Sequence, residues 1–151
     1  MHKPLPAPPP GFRLLNDMDE VTRAFAPLYL RPADNGLVDL GFRVGAQHCN
    51  PRGHCHGGTW STMADILMGL NLAIATGLSG PTVSLTVSFV GPAEVGQWVE
   101  GRARVLGHSP RLGFTDCTFS ADGVLALRAD AVFRRKQPPF RDYQALLAPD
   151  D

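Results

Sequence analysis

Hydrophobic and polar positions change period twice along this chain of 151 residues. Between residues 38 and 46, Val38, Leu40, Phe42, Val44 and Ala46 alternate with Asp39, Gly41, Arg43 and Gly45. That period of two predicts a half-buried strand. From Gly57 to Thr76 the apolar residues, from Trp60 and Met63 through Leu72 and Ile74, cover most of a helical circumference. They predict one long helix buried on nearly all sides, stopped by Gly77 and Gly80. The period of two then returns in four segments. Val83, Leu85, Val87 and Phe89 alternate with Thr82, Ser84, Thr86 and Ser88; Val99, Gly101, Ala103 and Val105 alternate with Glu100, Arg102 and Arg104. Strands over 114–120 and 124–135 follow, joined by an Asp122-Gly123 hairpin turn.

Upstream, residues 1–12 are expected to form a flexible proline-rich arm, extended or disordered. A short helix is expected over 18–29, with Val21, Ala24, Phe25 and Leu28 on one face and Asn16 or Asp17 as its cap. The expected organisation is an arm over 1–12, one domain over 13–136 and a tail over 137–151 holding a single helical turn. One all-round apolar helix beside consecutive antiparallel strands predicts an α+β fold whose sheet curls around the helix.

Composition narrows the function. Apolar residues make up 44% of the chain and charged residues 19%, and the formal net charge is zero. Such a balance offers no attraction to nucleic acid or to an anionic membrane. The longest apolar run, residues 63–75, is broken by Asp65 and Asn71 and is too short to span a bilayer. The three cysteines, Cys49, Cys55 and Cys117, are an odd set that argues against a disulfide framework and fits a reducing cytoplasm. The first residues lead into prolines and not into a signal-like apolar stretch.

Asp65 is the only acidic or basic residue, histidines aside, between Arg52 and Glu94, and it falls within the helix. A carboxylate in a dry core is costly unless paired or used. The helix is entered through His54, Cys55, His56, Gly57 and Gly58, and a Gly-Gly entry offers bare N–H groups. Donors that polarise a carbonyl, together with a carboxylate that drives attack on it, point to acyl chemistry. Two rival readings are weaker. His48, Cys49, His54, Cys55 and His56 are metal-ligand types, but their spacing matches no standard zinc pattern. A serine hydrolase lacks its Gly-x-Ser-x-Gly elbow here.

These residues carry a family resemblance. Asn50, Gly53, His56, Gly57 and Gly58, followed by Asp65, then 82–85 and Phe89, Pro92, Ala93 and Gly96, resemble the PaaI-like acyl-CoA thioesterases of the hotdog-fold superfamily. The match covers roughly residues 37–135. It implies an antiparallel sheet wrapped around a central helix, in dimers or in homotetramers made of two dimers. It implies Asp65 as base or nucleophile, the Gly57 N–H as oxyanion donor, Asn50 and His56 lining the thioester and its attacking water, and Thr82 holding that water. It requires no metal or cofactor. Arg111, in a turn between strands, is the candidate for the coenzyme A phosphates. Gly57 and Asp65 are eight positions apart, about 12 Å of helical rise, so the two can serve one carbonyl only from different subunits. The alternative is a non-catalytic acyl-CoA binding or sensing module on the same fold.

Overall fold

The computed structural model describes residues 4–16, 18–139, 142 and 145. In chain order the elements are β1 (Arg13–Leu14), α1 (Glu20–Arg23), β2 (Tyr29–Pro32), β3 (Val38–Arg43), α2 (Gly57–Thr76), β4 (Thr82–Phe89), β5 (Trp98–His108), β6 (Leu112–Ala121) and β7 (Val124–Arg134). The strands form one antiparallel sheet in the order β1-β2-β3-β5-β6-β7-β4. Its inner face wraps α2, where Trp60, Met63, Leu67, Met68 and Leu72 pack into one core with Phe42, Phe119, Leu127 and Phe133. The sheet curls around the helix as the alternation predicts, and this is the hotdog architecture that the resemblance implies.

Helix α2 starts at His56, whose ring caps Gly58 N–H, and ends at Gly77. Gly77 takes a left-handed φ of 78° and returns its N–H to the Ala73 carbonyl, a conformation glycine adopts without strain. Asn71 ties the helix to β3. Its Oδ1 accepts from Val38 N–H at 2.8 Å, and its Nδ2 donates to the Val38 carbonyl at 3.0 Å. A fully buried amide thus satisfies both backbone groups of one strand residue.

Three expectations are corrected. The helix over 18–29 shrinks to one turn, capped by Asp19 and not by Asn16; the Asp17 alternative lies outside the described residues. Pro27 offers no N–H to continue a helix, and beyond it the chain enters the sheet as β2, with Leu30 opposite Leu40. Strand β3 ends at Arg43 and is not half-buried: both its faces are covered. Its outward Asp39 is 2% exposed because Arg102 forks onto it, with Nε at 3.1 Å and Nη2 at 3.0 Å, and Arg31 adds a third contact at 3.0 Å. A buried carboxylate is tolerable when matched in this way. Finally, α2 is not buried all round. Asp65, Ile66, Gly69 and Leu70 form a half-buried stripe that the sheet leaves open. Most of the expected helical turn beyond residue 140 lies outside the described residues.

Replacing Asn71 by Ala strands the Val38 N–H and carbonyl in the core. We expect a loss of about 3 kcal/mol, from the penalty for two buried unsatisfied groups. It would be read as a lower urea midpoint at unchanged slope.

Candidate active site

The site begins in the loop before α2. Asn50 Oδ1 accepts from Arg52 N–H at 3.0 Å and His54 N–H at 3.2 Å, folding residues 50–54 into a tight turn. His56 N–H donates to the His48 carbonyl at 2.8 Å. Its ring Nδ1 then accepts from Gly58 N–H at 2.8 Å. As first residue of the helix, Gly57 has no intrahelical acceptor for its own N–H, and no other protein acceptor takes it among the described residues. That donor points outward at the positive end of the helix dipole, where negative charge is favoured.

His48 is a metal-ligand type by sequence, but in the structure its role is structural. It is fully buried. Its Nδ1 accepts from Gly45 N–H at 2.9 Å, and its Nε2 lies 2.7 Å from the Phe25 carbonyl. That pattern fixes the neutral ring with its proton on Nε2. Its own carbonyl also receives Thr59 Oγ1 at 2.9 Å. With both nitrogens engaged, His48 is unavailable to a metal. Nothing in the sequence marks this role, because both ring partners are backbone groups, one of them 23 residues away.

Asp65 lies two turns further on, in the open stripe of α2. Thr82 Oγ1 donates to its Oδ1 at 2.6 Å, leaving the other carboxylate oxygen free of that bond. The contact depends on a bulge. Thr82 pairs with Phe133, yet Ser84 pairs with Val132, so Val83 is an extra residue in β4. Strict alternation would have put Thr82 outward with Ser84. The bulge turns it inward beside Phe133, toward the helix.

Asp65 and Thr82 border a cavity of about 360 Å³. Ile66, Gly69, Leu70, Pro81 and Phe133 supply its apolar wall, with Leu15 and Leu30 across from them. Gly69 follows Asp65 by one turn on the same face, a spacing legible in the sequence but not used there. Trp60, Met63 and Leu67 of the same helix do not line it and are core residues.

The structure therefore joins Asn50, His56 and Gly57 at one end of α2, and Asp65 with Thr82 near its middle. It does not bring the two groups together in one chain. Arg111 stands apart, in the β5–β6 turn. Its carbonyl accepts from Arg135 N–H at 2.7 Å and its side chain is exposed.

Residues 52–125 match the Thioesterase superfamily profile. The chain is 31% identical over 127 residues to a Pseudomonas aeruginosa protein whose name marks it a candidate esterase, spanning 83% of this chain and 95% of that one. It belongs to the thioesterase superfamily and is an enzyme of that class. Human acyl-coenzyme A thioesterase 13 is 30% identical over 106 residues, 68% of this chain and 76% of its own. Among solved structures, zebra fish thioesterase superfamily member 2 superposes with a TM-score of 0.74 at 22% identity, over 80% of this chain and 89% of its own. A phenylacetic acid degradation protein PaaI from Thermus thermophilus, in a mutant form, superposes at 0.70 and 22% identity, over 78% of this chain and 100% of its own. The PaaI-like resemblance is thus borne out at the level of superfamily and fold. No helix among the described residues is long and apolar enough to cross a membrane.

Burial holds the His48 ring below its ordinary pKa of 6.5, and the Phe25 carbonyl opposes this only in part. The unfolded chain therefore takes up a proton that the folded thioesterase refuses. Stability from this group is complete above the unfolded pKa and is lost as pH falls through 6.5. Melting temperatures between pH 8 and pH 5 should fall more steeply for the native chain than for His48→Gln.

Proposed function

We propose that two copies of this chain pair along their β4 edges and hydrolyse acyl-CoA thioesters at two sites between them. The observation that carries the reading is the position of the two half-sites along one strand. Asp65 sits against Thr82, the first residue of β4. Gly57 sits against Phe89, the last: a Cβ built on Gly57 would lie 3.3 Å from the Phe89 ring. Among the described residues, strand β4 ends the sheet and pairs only with β7. Val83, Phe89 and Val90 are more than half exposed along it. A second β4 laid antiparallel across this edge brings Thr82 opposite the partner's Phe89. Asp65 then faces the partner's Gly57, and the 12 Å gap within one helix no longer matters.

The chemistry follows from that juxtaposition. The partner's Gly57 N–H donates to the thioester carbonyl oxygen. Asp65, oriented by Thr82, takes a proton from water as the water oxygen bonds to the carbonyl carbon. The negative charge on the oxygen is held by the N–H and the helix dipole. Collapse breaks the carbon–sulfur bond, releasing the acid and a coenzyme A thiolate that takes up the proton. Direct attack by the Asp65 carboxylate on the carbonyl is the alternative route through the same geometry. His56 and Asn50 hold the loop that aims the N–H. The acyl-CoA substrate is supported by the named activity of the human relative.

Arg111 is proposed to meet the coenzyme A phosphates. Arg134 N–H and Lys136 N–H donate to the carbonyls of Pro81 and Ser79, and Arg135 N–H to that of Arg111. Arg111 therefore borders the segment that leads into Thr82 and the Asp65 cavity. Arg135 itself is spent on the end of α2, its guanidinium bonding Thr76 and the Ser109 carbonyl. Arg111→Ala should raise KM for acyl-CoA about tenfold with kcat little changed, the loss expected of a charged contact in the ground state.

A mixing experiment tests the shared site. Asp65→Asn removes the base. Gly57→Pro removes one N–H at a first-turn position where proline is tolerated, and His56 before it is already extended, at φ −68° and ψ 143°. Each variant alone should lose turnover by about two orders of magnitude or more. Unfolded together and refolded, they form mixed dimers with one intact site. Coenzyme A release should then recover to about a quarter of native, because half the dimers are mixed and half of their sites are intact. No recovery, with both variants folded and dimeric, would place the site within one chain.

A further inference from the structure

Two of the three cysteines face each other across the turn that builds the oxyanion end of the site. Cys49 and Cys55 form an isolated antiparallel bridge. The flanking hydrogen bonds are Asn50 N–H to the His54 carbonyl and His56 N–H to the His48 carbonyl, both 2.8 Å. This is the non-hydrogen-bonded kind of pair, in which Cα atoms lie about 4.5 Å apart and side chains share one face. Disulfides span Cα separations from about 4.4 Å upward, so the two sulfurs can be joined without moving the backbone apart or together. Both side chains turn to the same core: Cys55 is buried within it and Cys49 is half-buried against it. The thiols also sense one another. Burial, then charge on Cys49, pushes the Cys55 thiol up to about 12. Cys117 sits apart on β6, with Ala103 and Ala129 as its ladder neighbours.

We propose that Cys49 and Cys55 are a reversible redox site, closed by a small-molecule disulfide, that locks the loop carrying Asn50 and His56 and slows the enzyme. Cys49, the more accessible thiol, loses its proton and attacks one sulfur of oxidised glutathione. That breaks the glutathione disulfide, releases one glutathione thiolate and leaves a mixed disulfide. Cys55 then loses its proton and attacks the Cys49 sulfur, expelling the second glutathione. Two protein thiols are oxidised by two electrons, and one glutathione disulfide is reduced to two thiols, which take up the two protons. The ring so closed, residues 49–55, is too short to stabilise the whole fold much. It acts locally, because Cys55 directly precedes the His56 cap and the Gly57 donor. A sub-ångström shift of that donor is enough to slow acyl transfer. Burial keeps both thiols protonated at neutral pH, so closure proceeds faster as pH rises. In a reducing compartment the bond is transient.

The sequence supplies a convenient readout. Arg52 lies between the two cysteines, and the neighbouring basic residues are Arg43 and Arg102. Trypsin therefore separates 44–52 from 53–102, and a disulfide reappears as a cross-link between these peptides. The full-length native chain, incubated with oxidised glutathione at pH 8.5 and digested without reductant, should yield this cross-link. It should retain one free thiol of three, and dithiothreitol should reverse both. Cys49→Ala should give no cross-link, and Cys117→Ala should give it in full. A stable glutathione adduct on Cys49, a bond to Cys117, or three free thiols after oxidation in balanced glutathione buffers would each overturn the site. The effect on turnover rests on the thioesterase reading; the peptide map does not. Oxidised native enzyme should release coenzyme A about tenfold more slowly, and Cys49→Ala should be unaffected. A cross-link with unchanged turnover would refute the locking role alone, and absent turnover in both redox states would count against the acyl-CoA reading and leave the cysteine pair standing.

Discussion

The rise of an α-helix fixes how far apart its two ends can act. Gly57 and Asp65 are separated by about 12 Å along α2, and a thioester carbonyl needs its oxyanion donor and its attacking group within about 3–3.5 Å. No side-chain rotation closes that gap, because one participant is a backbone N–H. A site that uses both must take them from two helices. The open stripe on α2, the unpaired edge of β4 and the apolar residues along that edge all make sense under this constraint. Each would otherwise be a defect in a single curled sheet.

Within the chain, β3 and its extension hold the helix at both ends. Asn71 binds Val38 at the start of β3, and the segment after β3 delivers Gly45 to the His48 ring. From His48 two bonds reach the start of α2, one to His56 N–H and one from Thr59. The position of the Gly57 N–H is thus referred back to the sheet through His48, whose ring is held by Gly45 and whose carbonyl holds the helix start. That arrangement works only while the imidazole is neutral, since protonated Nδ1 could no longer accept from Gly45. The same burial that makes the anchor rigid also makes it sensitive to acid.

Much of this was legible from alternation alone. One charge in a long apolar helix, a Gly-Gly entry and four polar-apolar strands describe the core, the helix start and the sheet. The rest depends on contacts distant in sequence. Asp39 reads as a solvent-facing strand residue until Arg102, on β5, folds across it. Residues 21–28 carry a helical stripe, but the helix ends at Arg23; Pro27 cannot extend it, and the chain pairs with β3 from Tyr29 onward. Asn71 reads as an interruption of an apolar run, whereas its amide is matched to one strand residue. Asp65 reads as buried because the helix around it is apolar, yet the sheet covers only part of that helix. The apolar residues flanking it belong to a cavity wall and an open edge, which periodicity cannot distinguish from core.

The register of β4 makes the last link between sheet and chemistry. Its outward residues are Ser and Thr, and no charge or proline interrupts the run from Thr82 to Phe89. Strands that must avoid pairing usually carry such interruptions, and this one carries none between those residues. Pairing alone would leave Thr82 on the outer face, away from the helix. One extra residue, Val83, reverses its direction at the point where the strand begins. The hydroxyl then reaches Asp65 and orients a carboxylate that the open stripe exposes. The bulge thus lets one strand keep an uninterrupted edge and still turn one hydroxyl inward to the helix.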